Sequence, residues 1–214
     1  PGEGAVALTI TAIDQSDPIR NIVVVRETRA DLLAKGAIFN PDWLSRLRGV
    51  KGLRLMDWMA TNNATLAHAA DRPLPDDYTY ARQGVPVEVL VALANELQAN
   101  PWFNVPHLAD DDLARTYAQI VHDQLAPGLV ASVEFSNEVW NWQFTQARWA
   151  EDQGKARWGQ DSTWVQFYAL RAAQVADIWA QVFKDAPDRL QRVVAVQTGW
   201  IGLEQQILDA PLVL

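Results

Sequence analysis

Two regimes of hydrophobic patterning divide the chain. From Ala5 to Arg26 apolar and polar positions alternate in AVALTITAI, a polar DQSDP follows, and RNIVVV supplies a β-branched run. Period-two alternation on either side of a turn-forming cluster predicts a β-hairpin. From about Phe39 the pattern becomes helix followed by strand, repeated. Asn40-Pro41 is a helix start with Pro at the first helical position, Asp42 to Arg48 is short and amphipathic, and GLRLMDW reads as a buried strand. After a polar, proline-containing loop from Thr61 to Gln83, PVEVLVALANELQAN predicts a helix and NPWFNVP a strand.

The clearest helix is ADDDLARTYAQIVHDQLAPG, with acidic residues in its first turn, Leu113, Tyr117, Ile120, Val121 and Leu125 at helical spacing, and Pro-Gly at its end. LVASVEFSN is then a strand, DSTWVQFYALRAAQVADIWAQVFKD a long helix and LQRVVAVQTGW a strand. Strands separated by helices of this length pair in parallel through right-handed crossovers, which predicts an α/β architecture with an open sheet or a barrel. The expected organisation is a β-rich segment over residues 1–38 and a β/α portion over 39–214.

Composition narrows the chemistry. With 214 residues, 49% of them apolar, the chain can bury a substantial core. No apolar run is long enough to span a bilayer, so no membrane partner is expected. A net charge of -8 disfavours nucleic acid, which needs a concentrated basic face. Cysteine is absent, which removes disulfides, thiolate metal sites and Cys nucleophiles. The chain opens on Pro-Gly-Glu-Gly with no initiator Met and no signal-like segment, so a fragment of a longer protein is expected. Secretion or a periplasmic location would follow if the native gene encodes a signal peptide. Ten tryptophans suit either a large core or a ligand with flat apolar faces, such as a pyranose.

In both α/β architectures the ligand sits at the carboxyl ends of the strands. The residues expected there are Asp57, Trp58, Asn62 and Asn63 after the first strand, then Asn104, Pro106 and His107. The third strand contributes Asn137, Glu138, Trp140 and Asn141, and the fourth Gln197, Thr198 and Trp200. No Gly-rich phosphate loop, GxGxxG, GxxxxGK[ST] or GxSxG follows any strand, so nucleotide and serine-hydrolase chemistry lose their usual support. Amides, acids and indoles suit a neutral polyhydroxylated ligand. His107 has no accompanying His or carboxylate at ligand spacing, and neither a metal nor a cofactor is expected.

The stretch VEFSNEVWN, residues 133 to 141, resembles the end of the fourth barrel strand in the clan-A retaining glycoside hydrolases, whose hallmark there is an Asn-Glu pair. The likeness runs from GLRLMDW through NPWFNVPH to VVAVQTGW. It implies a partial (β/α)8 barrel holding strands two to five, preceded by a β-hairpin or β-sandwich remnant. It also implies a hydrolase of O-glycosidic bonds in a polysaccharide or oligosaccharide, with Glu138 as general acid/base and Asn137 bonding the substrate hydroxyl beside the anomeric carbon. Asp57, Trp58, Asn62, Asn104, His107, Trp140, Asn141 and Trp200 would complete the sugar site.

The chemistry independently asks for an acid that keeps its proton near neutral pH, which partial burial beside indoles favours. A retaining mechanism needs a second carboxylate at about 5–5.5 Å and an inverting one at about 6.5–9.5 Å. The resemblance implies that this nucleophile comes from the seventh strand, beyond the chain, with Asp57 and Glu204 the internal alternatives. Glu134 shares the side-chain parity of Glu138 but lies about 13 Å down the strand, and is expected to pair with a base such as Arg54.

Each of these residues has a plainer reading. Asn137 would serve as a helix N-cap, and Trp140, Trp142 and Trp200 as core. Trp149, Trp158, Trp164 and Trp179 sit on helical segments and are expected to pack. The alternatives to a hydrolase are a non-catalytic carbohydrate-binding protein or degenerate barrel, and an α/β enzyme with an unrelated ligand. An open half-barrel exposes two sheet edges, which predicts pairing with another copy or with the missing remainder of a longer chain.

Overall fold

A computed structural model describes residues 7–210. The chain divides into two units, Pro1–Trp43 and Leu44–Leu214.

In the first unit the expected hairpin, which begins before the described residues, does not form: residues 7–26 contain no strand. The turn itself is present, with Asp14 Oδ1 accepting from the Ser16 backbone N–H at 2.9 Å and from its hydroxyl at 2.7 Å. Within residues 7–26 the flanking runs remain unpaired, and Leu8, Ile10, Ile22, Val23 and Val24 are exposed. Alternation supplies the side-chain pattern of a strand without a third strand or helix to bury it, and a lone two-stranded pair is marginal in water. A 3₁₀ turn over Glu27–Arg29 leads into α1 (Ala30–Ala34), which ends at Gly36, whose φ of 85° is open to glycine at little strain.

α2 (Pro41–Leu47) begins with proline and runs across the division. The second unit then alternates strand and helix. β1 (Gly52–Arg54) is shorter than the apolar run GLRLMDW suggests, because the chain turns after Leu55: Met59 N–H bonds Leu55 O at 3.0 Å and Ala60 N–H bonds Asp57 O at 3.1 Å. The long loop returns at Gly84, where a Cβ would lie 2.7 Å from the Trp58 carbonyl oxygen, and Val85 N–H bonds that same oxygen at 2.7 Å.

α3 (Val87–Leu97) follows Pro86 and buries Val87, Leu90, Val91 and Ala94, one stripe at helical spacing. β2 (Asn100–Val105) leads to α4 (Asp111–Gln124), whose N-cap Asp110 accepts from Leu113 N–H at 2.8 Å and which buries Leu113, Ala114, Tyr117, Ala118 and Val121. After β3 (Ala131–Phe135) come two helices, α5 (Thr145–Trp158) and α6 (Trp164–Val182), then β4 (Leu190–Val193) and α7 (Leu203–Leu208). Glu151 on α5 accepts from the Ser162 and Thr163 backbone N–H groups, satisfying donors at the start of α6.

The four strands are parallel and lie in chain order, β1-β2-β3-β4. This is a mixed α/β fold on an open four-stranded parallel sheet. Sequential order without reversal means the sheet is wound in one sense, unlike a doubly wound fold. The register pairs Phe103 with Val133 and Val105 with Phe135, and these four face the helices. Phe103 lies 6.0 Å from Trp179 and Phe135 stacks at 6.2 Å on Tyr168, both on α6. The opposite parity carries Arg54, Trp102, Asn104, Ser132 and Glu134, a polar sheet face. Among the described residues no helix is long and apolar enough to cross a membrane.

Candidate functional site at the carboxyl end of the sheet

The end of β3 is where the backbone departs from regular geometry. Ser136 N–H still bonds Val105 O at 2.7 Å, continuing the ladder, but Ser136 has φ 58° and Glu138 φ 42°. Two non-glycine residues in the left-handed region on either side of Asn137 store about 1–3 kcal/mol each, and such strain persists only where the surroundings enforce it.

The enforcing contacts are side-chain amides. Arg54 Nη2 donates to Asn137 Oδ1 at 2.9 Å, and Asn137 Nδ2 donates to Asn62 Oδ1 at 2.9 Å. Gln146, fully buried near the start of α5, donates from Nε2 to Asn62 Oδ1 at 2.8 Å and to the Asn137 carbonyl at 2.9 Å. Its Oε1 accepts from Asn63 N–H at 3.1 Å, while Asn63 Oδ1 accepts from Thr145 N–H at 2.8 Å at the α5 start. Asn104 Nδ2 holds the Ser136 carbonyl at 2.8 Å. The peptide bonds on both sides of Asn137 are therefore held by amides from β2 and α5, and its side chain by Asn62 in the loop after β1.

Two glutamates four residues apart meet different environments. Glu134 is 1% exposed in its side chain and accepts from Arg54 Nη2 at 2.9 Å and from Trp102 Nε1 at 2.9 Å, with the Arg54 guanidinium also 5.2 Å above the Trp102 ring. The expected internal pair is thus present. Glu138 is half-buried and, among the described residues, forms no ion pair; Asn141 Nδ2 donates to its Oε2 at 2.9 Å. Glu138 lines a cleft of about 410 Å3 together with Trp140, Asn141, Trp142, Gln197, Gly199 and Trp200. That volume falls within the range of small-molecule sites, about 300–1,000 Å3.

Of the residues the sequence suggests for the site, the structure brings Glu138, Trp140, Asn141, Gln197 and Trp200 onto one cleft. Asn137, Asn62 and Asn104 lie in the amide network instead. Asn137 is 4% exposed with both ends of its amide engaged by Arg54 and Asn62, so it holds the strand end in place. It does not cap a helix either, since α5 begins only at Thr145. His107 is buried, edge-on to Trp149 at 5.4 Å, and burial pushes its imidazole down to about 4, so it is neutral at pH 7. Asp57 and Trp58 are exposed in the turn after β1 and do not line this cleft, and the same holds for Glu204 on α7. Glu138 is the one carboxylate on the lining among the described residues.

Sequence reasoning missed Gln146. A glutamine in the first turn of a weakly amphipathic helix carries no local signal, because its role depends on a loop 83 and 84 residues away that carries Asn63 and Asn62. Among the described residues no cluster of His, Asp and Glu could hold a metal ion. No family model, curated protein or solved structure matches the chain.

Proposed function

We propose that the chain is the acid/base-bearing part of a glycoside hydrolase acting on O-glycosidic bonds of a polysaccharide or oligosaccharide, its four strands forming the second to fifth of a (β/α)8 barrel. The observation that carries this reading is the contrast between the glutamates: Glu134 is neutralised by Arg54, whereas Glu138 faces a cleft of indoles and amides with no cation on it. A carboxyl group so placed can deliver a proton to the glycosidic oxygen as the bond to the anomeric carbon breaks, and then take one from the attacking water. Asn141 orients the carboxyl by holding one oxygen, and the amides around Asn137 fix the backbone that carries it. The second carboxylate comes from outside the described residues, supplied by further chain or a second copy that also covers the unpaired edges of β1 and β4.

A second reading, a carbohydrate-binding protein without turnover, is favoured by one feature: no other carboxylate lines the cleft among the described residues. Glu138→Gln separates the two. The hydrolase loses turnover of substrates with poor leaving groups by about 10²–10⁴-fold while sugar binding persists. If sugar binds and the protein assembled with the part that supplies the second carboxylate shows no hydrolysis with any β-linked oligosaccharide, the hydrolase reading fails and the binding reading stands.

A further inference from the structure

Among the aromatic residues on the cleft, Trp142 differs from its neighbours. Trp140 and Trp200 are half-buried and pack against the core, whereas Trp142 is 45% exposed. An exposed indole is the larger anomaly, since burying it would remove more apolar surface from water than almost any other side chain. Trp142 is nevertheless fixed. Trp164 meets it in an edge geometry at 5.2 Å, and Trp164 in turn packs on the core and lies 6.3 Å from Trp200.

Its backbone is tied to the carboxylate as well. Asn141 N–H bonds the Glu138 carbonyl at 2.8 Å, Asn141 Oδ1 accepts from Gln143 N–H at 3.0 Å, and the Asn141 amide holds Glu138 Oε2. One asparagine therefore sets both the acid and the turn that presents the indole. Across the cleft, Gly199 leaves room for the Gln197 amide: a Cβ there would come within 3.0 Å of Gln197 Oε1. The lining thus offers broad aromatic faces, amides and one carboxylate, with neither a cation nor an aliphatic side chain.

We propose that Trp142 is the stacking platform for a second pyranose ring beside the one at Glu138, so that the cleft selects a chain of β-linked, equatorially substituted pyranoses over a single sugar. Such rings present axial C–H groups on both faces and hydroxyls around the rim, which matches an indole face edged by Asn141 and Gln197. An anionic sugar or nucleotide finds no counter-charge on the lining. The inference rests on the sugar reading given under the proposed function.

The test is calorimetric titration of the Glu138→Gln protein, in which turnover is suppressed, with β-linked tetrasaccharides of glucose and of xylose and with the corresponding methyl glycosides. Adding Trp142→Ala should weaken tetrasaccharide binding by about tenfold, equivalent to about 1.4 kcal/mol, and leave the methyl glycosides within about twofold. Trp142→Phe should restore most of the affinity. Trp142→Leu, which keeps apolar bulk without a flat face, should not, and it serves in place of alanine if that variant does not fold. Equal weakening of tetrasaccharide and methyl glycoside, no weakening, or full recovery with leucine overturns the platform while leaving the sugar reading intact. Absence of binding by either tetrasaccharide to the protein with Trp142 in place overturns both.

Discussion

Replacing Arg54 by Met keeps most of the side-chain bulk and removes the charge that faces Glu134. Nη2 of Arg54 reaches both Glu134 oxygens, at 3.1 and 2.9 Å, and Asn137 Oδ1 at 2.9 Å. Without it the Glu134 carboxylate retains only the Trp102 indole N–H. Removing one partner of a buried pair costs about 3–5 kcal/mol, chiefly from the charge left behind. Arg54 is 36% exposed and Glu134 1%, so water already screens the base but does not reach the acid. That places Arg54→Met near the lower end, about 3 kcal/mol. For a domain of this size each kcal/mol moves Tm by about 2–4 °C, so a fall of about 6–12 °C is expected.

Tryptophan fluorescence follows the relevant unit, because every tryptophan except Trp43 lies in it. Adding Glu134→Gln to Arg54→Met should recover about 2 kcal/mol, since a neutral amide no longer leaves an uncompensated charge in the interior. An Arg54→Met protein that melts with the unsubstituted one, or a double variant whose losses simply add, would refute the assignment of this pair as a buried charge couple.

Two other substitutions probe the frame of the site. Gln146→Leu removes one of the two donors to Asn62 Oδ1, takes the partner of Asn63 N–H and leaves the Asn137 carbonyl unpaired in a buried position, and should cost about 2–3 kcal/mol in urea unfolding, with Glu138-dependent turnover falling alongside; unchanged stability would mean that water replaces the amide. His68 is held above its ordinary value near 6.5, first by its hydrogen bond to Asp110, and Asp110 is lowered from 3.8, first by the same bond. The raised His68 stabilises the fold below its unfolded value and loses that effect as pH rises through the folded one, so the Tm gap between the protein and His68→Gln should shrink from about pH 5 to about pH 9. A gap that is flat or widens with pH would contradict the pairing.

What the sequence reveals here depends on whether a signal is local. α3, α4 and α6 are legible because their apolar stripes repeat at helical spacing and because Pro86 and Asp110 mark two of their starts. α5 is not, since its buried face is built from Gln146, Ala147, Ala150 and Gly154, which leave no hydrophobic stripe to read. The hairpin misreading has the converse cause: alternation in AVALTITAI is a true strand pattern, but pairing needs a partner surface that residues 7–26 do not meet. At the site, the Arg54–Glu134 pair was readable from side-chain parity along a strand, and the Asn-Glu step from its position at a strand end. His107 was not, because polarity at a strand end suggests the rim, whereas the ring is tucked against Trp149. The amide clamp is invisible for a different reason: Asn62, Asn104, Asn137 and Gln146 become partners only when three separate segments converge.

The torsional kink at Ser136 and Glu138 has an engineering consequence. Glycine at Ser136, the position that does not carry the acid, would relax the backbone and gain durability. The same relaxation would let the acid wander from the orientation its neighbours impose, so selection for ruggedness and selection for turnover would pull this one peptide in opposite directions.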